Sequence, residues 1–459
     1  MIQLCRVCHA FVLYKASHEH MIRSIAMRSF FAIAMFVVVT AAGAPSSGAQ
    51  EAAGQNAAVA ATPKLSILYR FTGNDGAAPK GRLAADSSGT LYGTTESGGD
   101  LGSFCCGTVF RLAPPPSGQS KWKATVLYSF PYPGAQGIRP LNGLLLKRGE
   151  LYGTTANRGA TTSSACCGTV FVLSPPPSGQ GGWKLKTLYT FKNEADGFGP
   201  AGDLVMDEDG ALYGATNAGG KNNRGTIFKL APPKSGQTRW TKTILYHFKG
   251  GTDGAFVRSG LTFDSKGALY GVATQDGSVQ ASCCGTIFKL SPPPKGQTAW
   301  KYEQLYRFKG GDDGSHPEGR LLIDQAGALF GTTMNGGEDN FGTLFKLTPP
   351  KPGQSKWSKA ILHDFRSTGA DGNFPSGGLA RDGAGNLYGV TQEGGGEGAG
   401  TIFKLTKNGS KWSYKVLRSL THQQAVKPYA GLIQRQGALF GTTIGDNAFD
   451  RYGTVFELE

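Results

Sequence analysis

Leu91-Tyr92-Gly93-Thr94-Thr95 is the first of seven versions of one five-residue line. It returns as LYGTT at Leu151, LYGAT at Leu212, LYGVA at Leu269, LFGTT at Leu329, LYGVT at Leu387 and LFGTT at Leu439, with spacings of 60, 61, 57, 60, 58 and 52 residues. A sustained period of this length, β-type in every copy, belongs to a propeller or a solenoid and not to a string of independent domains.

Working outward from the first copy, GRLAAD at 81–86 is a short apolar strand, turned by Ser87-Ser88-Gly89 into LYGTT. A Gly-rich loop leads to GTVFRL at 107–112, then PPPSGQ at 114–119, then WKATVLYSF at 122–130. Four alternating runs with three connections make a four-stranded antiparallel meander, the unit of a propeller blade. Strict alternation places Trp122, Ala124, Val126, Tyr128 and Phe130 on one face of the last strand. The third line recurs as GTVFVL at 168, GTIFKL at 225, 285 and 400, GTLFKL at 342 and GTVFEL at 453.

The repeat is out of phase with the chain ends. LSILYRF at 65–71 matches the fourth strand, and the chain ends on GTVFELE, which is the third. Pairing these two closes a ring and removes its exposed sheet edges, which an open solenoid has no use for. The expectation is an all-β fold, a seven-bladed β-propeller at 64–459. Its blades fall at about 79–130, 140–191, 200–248, 257–308, 317–365, 375–420 and 428–458 plus 64–71.

Residues 1–49 read as a leader. Its core, MRSFFAIAMFVVVTAAGAPSSGA at 27–49, has Arg28, an apolar run from Phe30 to Ala42 and the A-x-A string Ala42-Gly43-Ala44, with Ser47-Gly48-Ala49 as a second cleavage site. The run is short for a membrane span, so no transmembrane segment is expected once the signal is removed; an uncleaved anchor is the other reading. Met1, Met21 and Met27 all stand as starts, and Cys5-Arg6-Val7-Cys8-His9, a haem-attachment string, goes with the leader. Residues 50–63 read as a flexible linker. Beyond residue 49, Lys+Arg number 43 against Asp+Glu 31, a net charge of about +12. That favours anionic surfaces, but it lacks the clustered basic stripe of a nucleic-acid binder.

The pattern GxLYGTTxxGG…GTxFxL…W…LYxF over 64–459 resembles the bacterial choice-of-anchor tandem-repeat GloVer-containing proteins. The resemblance implies an exported or cell-surface protein and brings no catalytic residue with it. This chain ends in its last strand, where several such proteins carry a surface-anchoring tail. The D-x-x-G-x-LY turn also looks like that of sensor and lactone-hydrolysing propellers, a likeness of fold alone.

Two features should gather on the face bearing the strand-two-to-three loops and the blade-to-blade loops. The first is Asp-Gly at Asp75, Asp196, Asp253, Asp313 and Asp371. Turn chemistry explains it, since Asp closes an Asx-turn and Gly supplies positive φ. The sharper reading is a ring of carboxylates at the channel mouth holding polar ligands or Ca²⁺, although no copy shows D-x-D-x-D. No other cofactor is expected. The second is three adjacent cysteine pairs, Cys105-Cys106, Cys166-Cys167 and Cys283-Cys284. Export favours their oxidation. Bridging within each pair, cross-pairing between blades one and two, and free thiols all stand as readings, while the His needed for metal are scattered.

The opposite face carries the PPPSGQ-type hairpins, each followed by Trp (Trp122, Trp183, Trp240, Trp300, Trp357, and Trp412 in the same register). Sugar stacking and blade packing both account for them. Lys121, Lys123, Arg239, Lys242, Lys356, Lys359 and Lys411 nearby suggest a basic rim.

No nucleophile elbow and no H-E-x-x-H motif is present. The leading expectation is a non-catalytic, monomeric propeller, secreted or at the bacterial cell envelope, binding a glycan or protein partner. The alternatives are a propeller enzyme acting on polysaccharide or lactone through mouth carboxylates, and a structural surface module. Candidate binding residues are the five Asp with Glu318 and His316; Arg139, Glu194 and His422 also break the repeat.

Overall fold

The computed structural model describes residues 62–459 except 101–105, 133, 158–166, 178, 180, 193, 278–283, 368–369, 410 and 446–450. The leader, almost all of the linker, and Cys105, Cys166 and Cys283 therefore lie outside the described residues. Seven four-stranded antiparallel sheets form a seven-bladed propeller, each with its strands in chain order except the last. Blade 1 consists of Ala84–Ala85, Leu91–Thr95, Thr108–Ala113 and Lys123–Ser129.

Each letter of the repeated line has a local cause. The Leu is core: Leu91 is buried in the cluster that joins blade 1 to blade 7. The Tyr caps a turn. Asp86 Oδ1 accepts from the amides of Ser88 (2.9 Å) and Thr90 (3.0 Å), and Oδ2 accepts the Tyr92 hydroxyl at 3.1 Å. Asp207, Asp264 and Asp382 hold Tyr213, Tyr270 and Tyr388 in the same way. Burial and the Asp86 carboxylate push the Tyr92 hydroxyl up to about 12. The Gly makes room, because a Cβ on Gly153 would sit 2.5 Å from Cζ of Phe171 on the next strand. The last Thr bonds across to the Thr opening the third strand, Thr95 Oγ1 to Thr108 Oγ1 at 2.9 Å, and Thr108 donates onward to the Asp75 carbonyl at 3.1 Å.

Blades join through aromatic edges. The Phe ending each fourth strand meets the third-strand Phe of the next blade: Phe130 with Phe171, Phe191 with Phe228, Phe248 with Phe288, Phe308 with Phe345 and Phe365 with Phe403, at centroid distances of 5.3–5.5 Å. Between blades 6 and 7 Leu420 replaces the Phe and packs in one core cluster with Phe456. The Trp residues do similar work. Trp183 packs on Tyr92, Trp300 on Tyr213, Trp412 on Phe330 and Trp122 on Phe440, each on the second strand of the preceding blade.

The ring closes as the phase of the repeat predicts. Leu65–Arg70 is the outer strand of blade 7, paired antiparallel with Thr454–Leu458 in the register Leu65 to Leu458 and Arg70 to Thr454. Lys64 and Glu459 exchange both backbone hydrogen bonds, at 3.0 and 3.1 Å. Phe71 then packs edge-on against Phe110 of blade 1 at 5.1 Å.

One expectation is corrected. Trp122 to Phe130 do not share a face, because Val109 pairs with Tyr128 and Phe110 with Val126, which leaves Leu127 as a bulge. A register shift recurs at this point in all seven outer strands. The extra residue flips the alternation. Val126 thus turns outward, 37 % exposed, while Phe130 is buried.

Candidate functional site

The five Asp-Gly carboxylates are fastened to outer strands. Asp196 accepts from the Tyr189 hydroxyl at 2.9 Å and the Lys192 amide at 3.0 Å. Asp253 takes Tyr246 and the Lys249 amide, Asp313 takes Tyr306 and the Lys309 amide, and Asp75 takes Tyr69 and the Thr72 amide. Asp371 binds His363 Nε2 at 3.0 Å and the Arg366 amide at 3.2 Å. In four interfaces the following blade's outer strand adds a second clasp. Lys242 reaches Asp196 at 2.8 Å, Lys359 reaches Asp313 at 2.7 Å, Tyr414 reaches Asp371 at 2.7 Å, and Tyr302 reaches the Asp253 carbonyl at 2.7 Å.

These carboxylates therefore sit over the outer strands and not around the channel. Burial works to raise Asp371, but the bonds from His363 and Tyr414 outweigh it and hold the carboxyl below its ordinary value. The basic rim is corrected in two places, since Lys242 and Lys359 have side chains only 4 % exposed. They face inward because their outer-strand position meets the preceding Asp. Lys121, Lys123, Arg239, Lys356 and Lys411 are exposed. Among the described residues no three His, Cys, Asp or Glu converge as a metal site.

His316 and Arg139 occupy one recurring position. Ala78, Arg139, Gly199, Phe256, His316, Phe374 and Lys427 all have φ between 52 and 61°, where each chain crosses from an outer strand to the next inner one. Their amides reach back to the preceding blade: Arg139 to the Cys106 carbonyl at 2.8 Å, Gly199 to Cys167 at 3.2 Å and Phe256 to Arg224 at 3.0 Å. Cys106, Cys167 and Cys284 are buried at these crossings. His316 and Glu318 begin the inner strand Ser315–Ile323 of blade 5 and are strand residues, because the segment pairs with the second strand, Glu318 opposite Thr332. Burial raises the Glu318 carboxyl, opposed by Arg258. Across the ring, Glu96 is held below its ordinary value: burial opposes this, but Lys80 (2.5 Å) and Arg139 prevail. His422 lies in the blade 6 to blade 7 loop with its amide on Glu397 at 3.0 Å. The side chain of Glu194 lies outside the described residues.

Aligned on the inner-strand leucines Leu83, Leu144, Leu204, Leu261, Leu321, Leu379 and Leu432, the preceding column reads Arg82, Gly143, Asp203, Gly260, Arg320, Gly378 and Gly431. The inner strands crowd the axis; a Cβ on Gly319 would sit 1.9 Å from the Gly377 carbonyl. Where the column carries side chains instead, first strands of five blades line an open-mouthed cavity of about 320 Å³, with Arg82, Asp203, Arg320, Gln434, Arg435 and apolar side chains in its wall. Each arginine is anchored by one donor. Arg82 Nε bonds the Leu432 carbonyl at 3.3 Å, Arg320 Nε bonds Thr262 Oγ1 at 3.0 Å, and Arg435 Nη2 bonds the Asp86 carbonyl at 2.5 Å. Asp203 Oδ1 accepts the Gly143 amide at 2.7 Å. Burial depresses the Arg320 guanidinium; Asp203 opposes this and Arg82 reinforces it. No motif marks these residues in the sequence; their signal is the aligned column, with two Arg and one Asp among glycines.

No curated protein matches the chain. A solved glucose dehydrogenase is similar at a TM-score of 0.40 and 16 % identity, over 86 % of this chain and 99 % of that one, a likeness too slight to bear on function. Three overlapping stretches, 41–283, 187–368 and 264–459, match the Gloeobacter/Verrucomicrobia repeat. Together they span the whole propeller, and the chain belongs to the Gloeobacter/Verrucomicrobia repeat family.

Proposed function

We propose that this is an exported, monomeric, non-catalytic propeller that binds a glycan or protein partner at the cell envelope. The observation that carries the reading is the fate of the loop carboxylates. Hydrolysis of a glycosidic bond generally needs two carboxyls, one raised and one ionised, facing a common substrate within about 5–10 Å. Here the five Asp are committed to Tyr, His, Lys and backbone donors on outer strands. The leader sequence supports export, and export supports closure of each Cys-Cys pair within itself, stiffening the crossings of blades 1, 2 and 4 beside the partner.

One observation favours the enzyme alternative: Glu318 has a raised carboxyl and lies two residues from His316. Incubating the mature protein with a polysaccharide and lactone library separates the readings. Saturable binding without product formation supports the proposal. Turnover that disappears in Glu318→Gln or His316→Ala overturns it, and neither binding nor turnover leaves the structural surface module.

A further inference from the structure

The axial cavity holds a surplus of positive charge. Arg82, Arg320 and Arg435 line it against one carboxylate, Asp203. Among the described residues no carboxylate stands within ion-pair distance of Arg82 or Arg320, and beyond the Nε bonds their terminal nitrogens have no hydrogen-bond partner there. Crowding two guanidinium groups in a partly desolvated site is costly unless an anion accompanies them. With Nε tied back to the protein, each group presents its planar end, the edge that grips a carboxylate through two parallel hydrogen bonds.

The rest of the wall suits a small hydroxylated ring. Leu145 and Ile433 offer apolar faces, and Gln434 and Asp203 offer hydrogen-bonding groups for hydroxyls. The volume of about 320 Å³ lies at the lower end of ligand pockets, the size for one small molecule or one sugar residue and not for a folded partner.

We infer that the axial cavity binds the carboxylate of an acidic sugar, a hexuronate or the uronate end of a glycan, through Arg82 and Arg320. The inference rests on the binding reading above and names its ligand chemistry. Arg82 and Arg320 clamp the carboxylate, Asp203 and Gln434 order the ring hydroxyls, and Leu145 and Ile433 cover one sugar face. A neutral hexose of the same size leaves the two guanidinium groups unpaired and is rejected.

Calorimetry on the mature protein with galacturonate, glucuronate, galactose and inorganic phosphate tests this. The expected result is saturable binding of a uronate, no measurable binding of galactose, and a loss of about 10- to 100-fold in uronate affinity in Arg82→Gln and in Arg320→Gln. Arg82→Lys, which keeps the charge and removes the fork, should fall in between. Thermal melts of every variant separate lost binding from lost folding; an unfolded Arg320→Gln passes the decision to Arg82→Gln and Arg82→Lys. Equal binding of galactose and galacturonate, wild-type affinity in folded arginine variants, or binding of phosphate without uronate overturns the inference. Binding of neutral glycans that ignores the arginines overturns it while sparing the binding reading. No binding to any glycan or protein overturns both.

Discussion

Lys242 of blade 3 places its ammonium 2.8 Å from Asp196, a residue of the loop that leads into the same blade. Asp196 in turn holds Tyr189 of blade 2, so one carboxylate ties the outer strands of two blades together. Burial lowers Lys242 more than Asp196 raises it, so pairing does not fully offset desolvation.

Removing the anion alone should therefore hurt most. Asp196→Ala strands a buried ammonium and is expected to cost about 3 kcal/mol or more in chemical denaturation. Lys242→Leu should cost under about 1.5 kcal/mol, because Asp196 keeps Tyr189 and the Lys192 amide. Leu185 and Leu65 already occupy the equivalent place in blades 2 and 7. A lysine variant as damaging as the aspartate variant would contradict this division.

Ring closure makes the first strand indispensable. Deleting 64–71 bares the edge of Thr454–Leu458 and should produce oligomers or unfolding by light scattering and melting. Phe71→Ala, which leaves the ladder intact but removes the contact with Phe110, should cost about 3–4 kcal/mol. A monomeric deletion variant with an unchanged melt refutes closure.

Glycine positions offer a paired test. Gly153→Ala drives a methyl into the Phe171 ring and should cost about 1–3 kcal/mol, whereas Gly182→Ala, with nothing within 4 Å, should be near neutral. Equal melting temperatures would remove the steric reason for the repeated Gly.

Acid should weaken the fold. For Asp371, burial raises the carboxyl, yet the hydrogen bonds from His363 and Tyr414 win and depress it. A depressed folded value means stability present above the unfolded carboxyl value, near pH 4, and lost as pH falls through the folded value. Asp371→Asn should flatten part of that loss in melts taken between pH 7 and 2. Glu318 has the opposite sign: burial raises it, so its stabilising contribution belongs to low pH and is lost as pH rises through the folded value. Glu318→Gln should raise the melting temperature at pH 7 and leave it unchanged near pH 3.

The fold was legible because its signals repeat and are local. Leu91, Tyr92, Gly93 and Thr95 each answer a contact within one blade or with its neighbour, and the offset of 65–71 against 453–459 named the closing pair. The bulge at Leu127 was hidden, since an extra residue leaves no mark in an apolar run. The site was less legible. Asp-Gly loops looked like a site because five copies share them, yet that recurrence is the mark of a turn and an inter-blade clasp. Arg82, Asp203 and Arg320 escaped notice because each stands alone in its own repeat, 121 residues or fewer from the next, and only the closed ring brings the three to one axis.

The central claim is a division of labour: loop carboxylates hold the ring, and axial arginines meet the ligand. The most direct measurement is melting temperature and uronate affinity taken side by side on Asp196→Ala and Arg320→Gln. The account predicts that Asp196→Ala melts lower and, while folded, binds like the wild type, whereas Arg320→Gln melts no lower and loses binding. Lost affinity in folded Asp196→Ala, or wild-type affinity in Arg320→Gln, would contradict it.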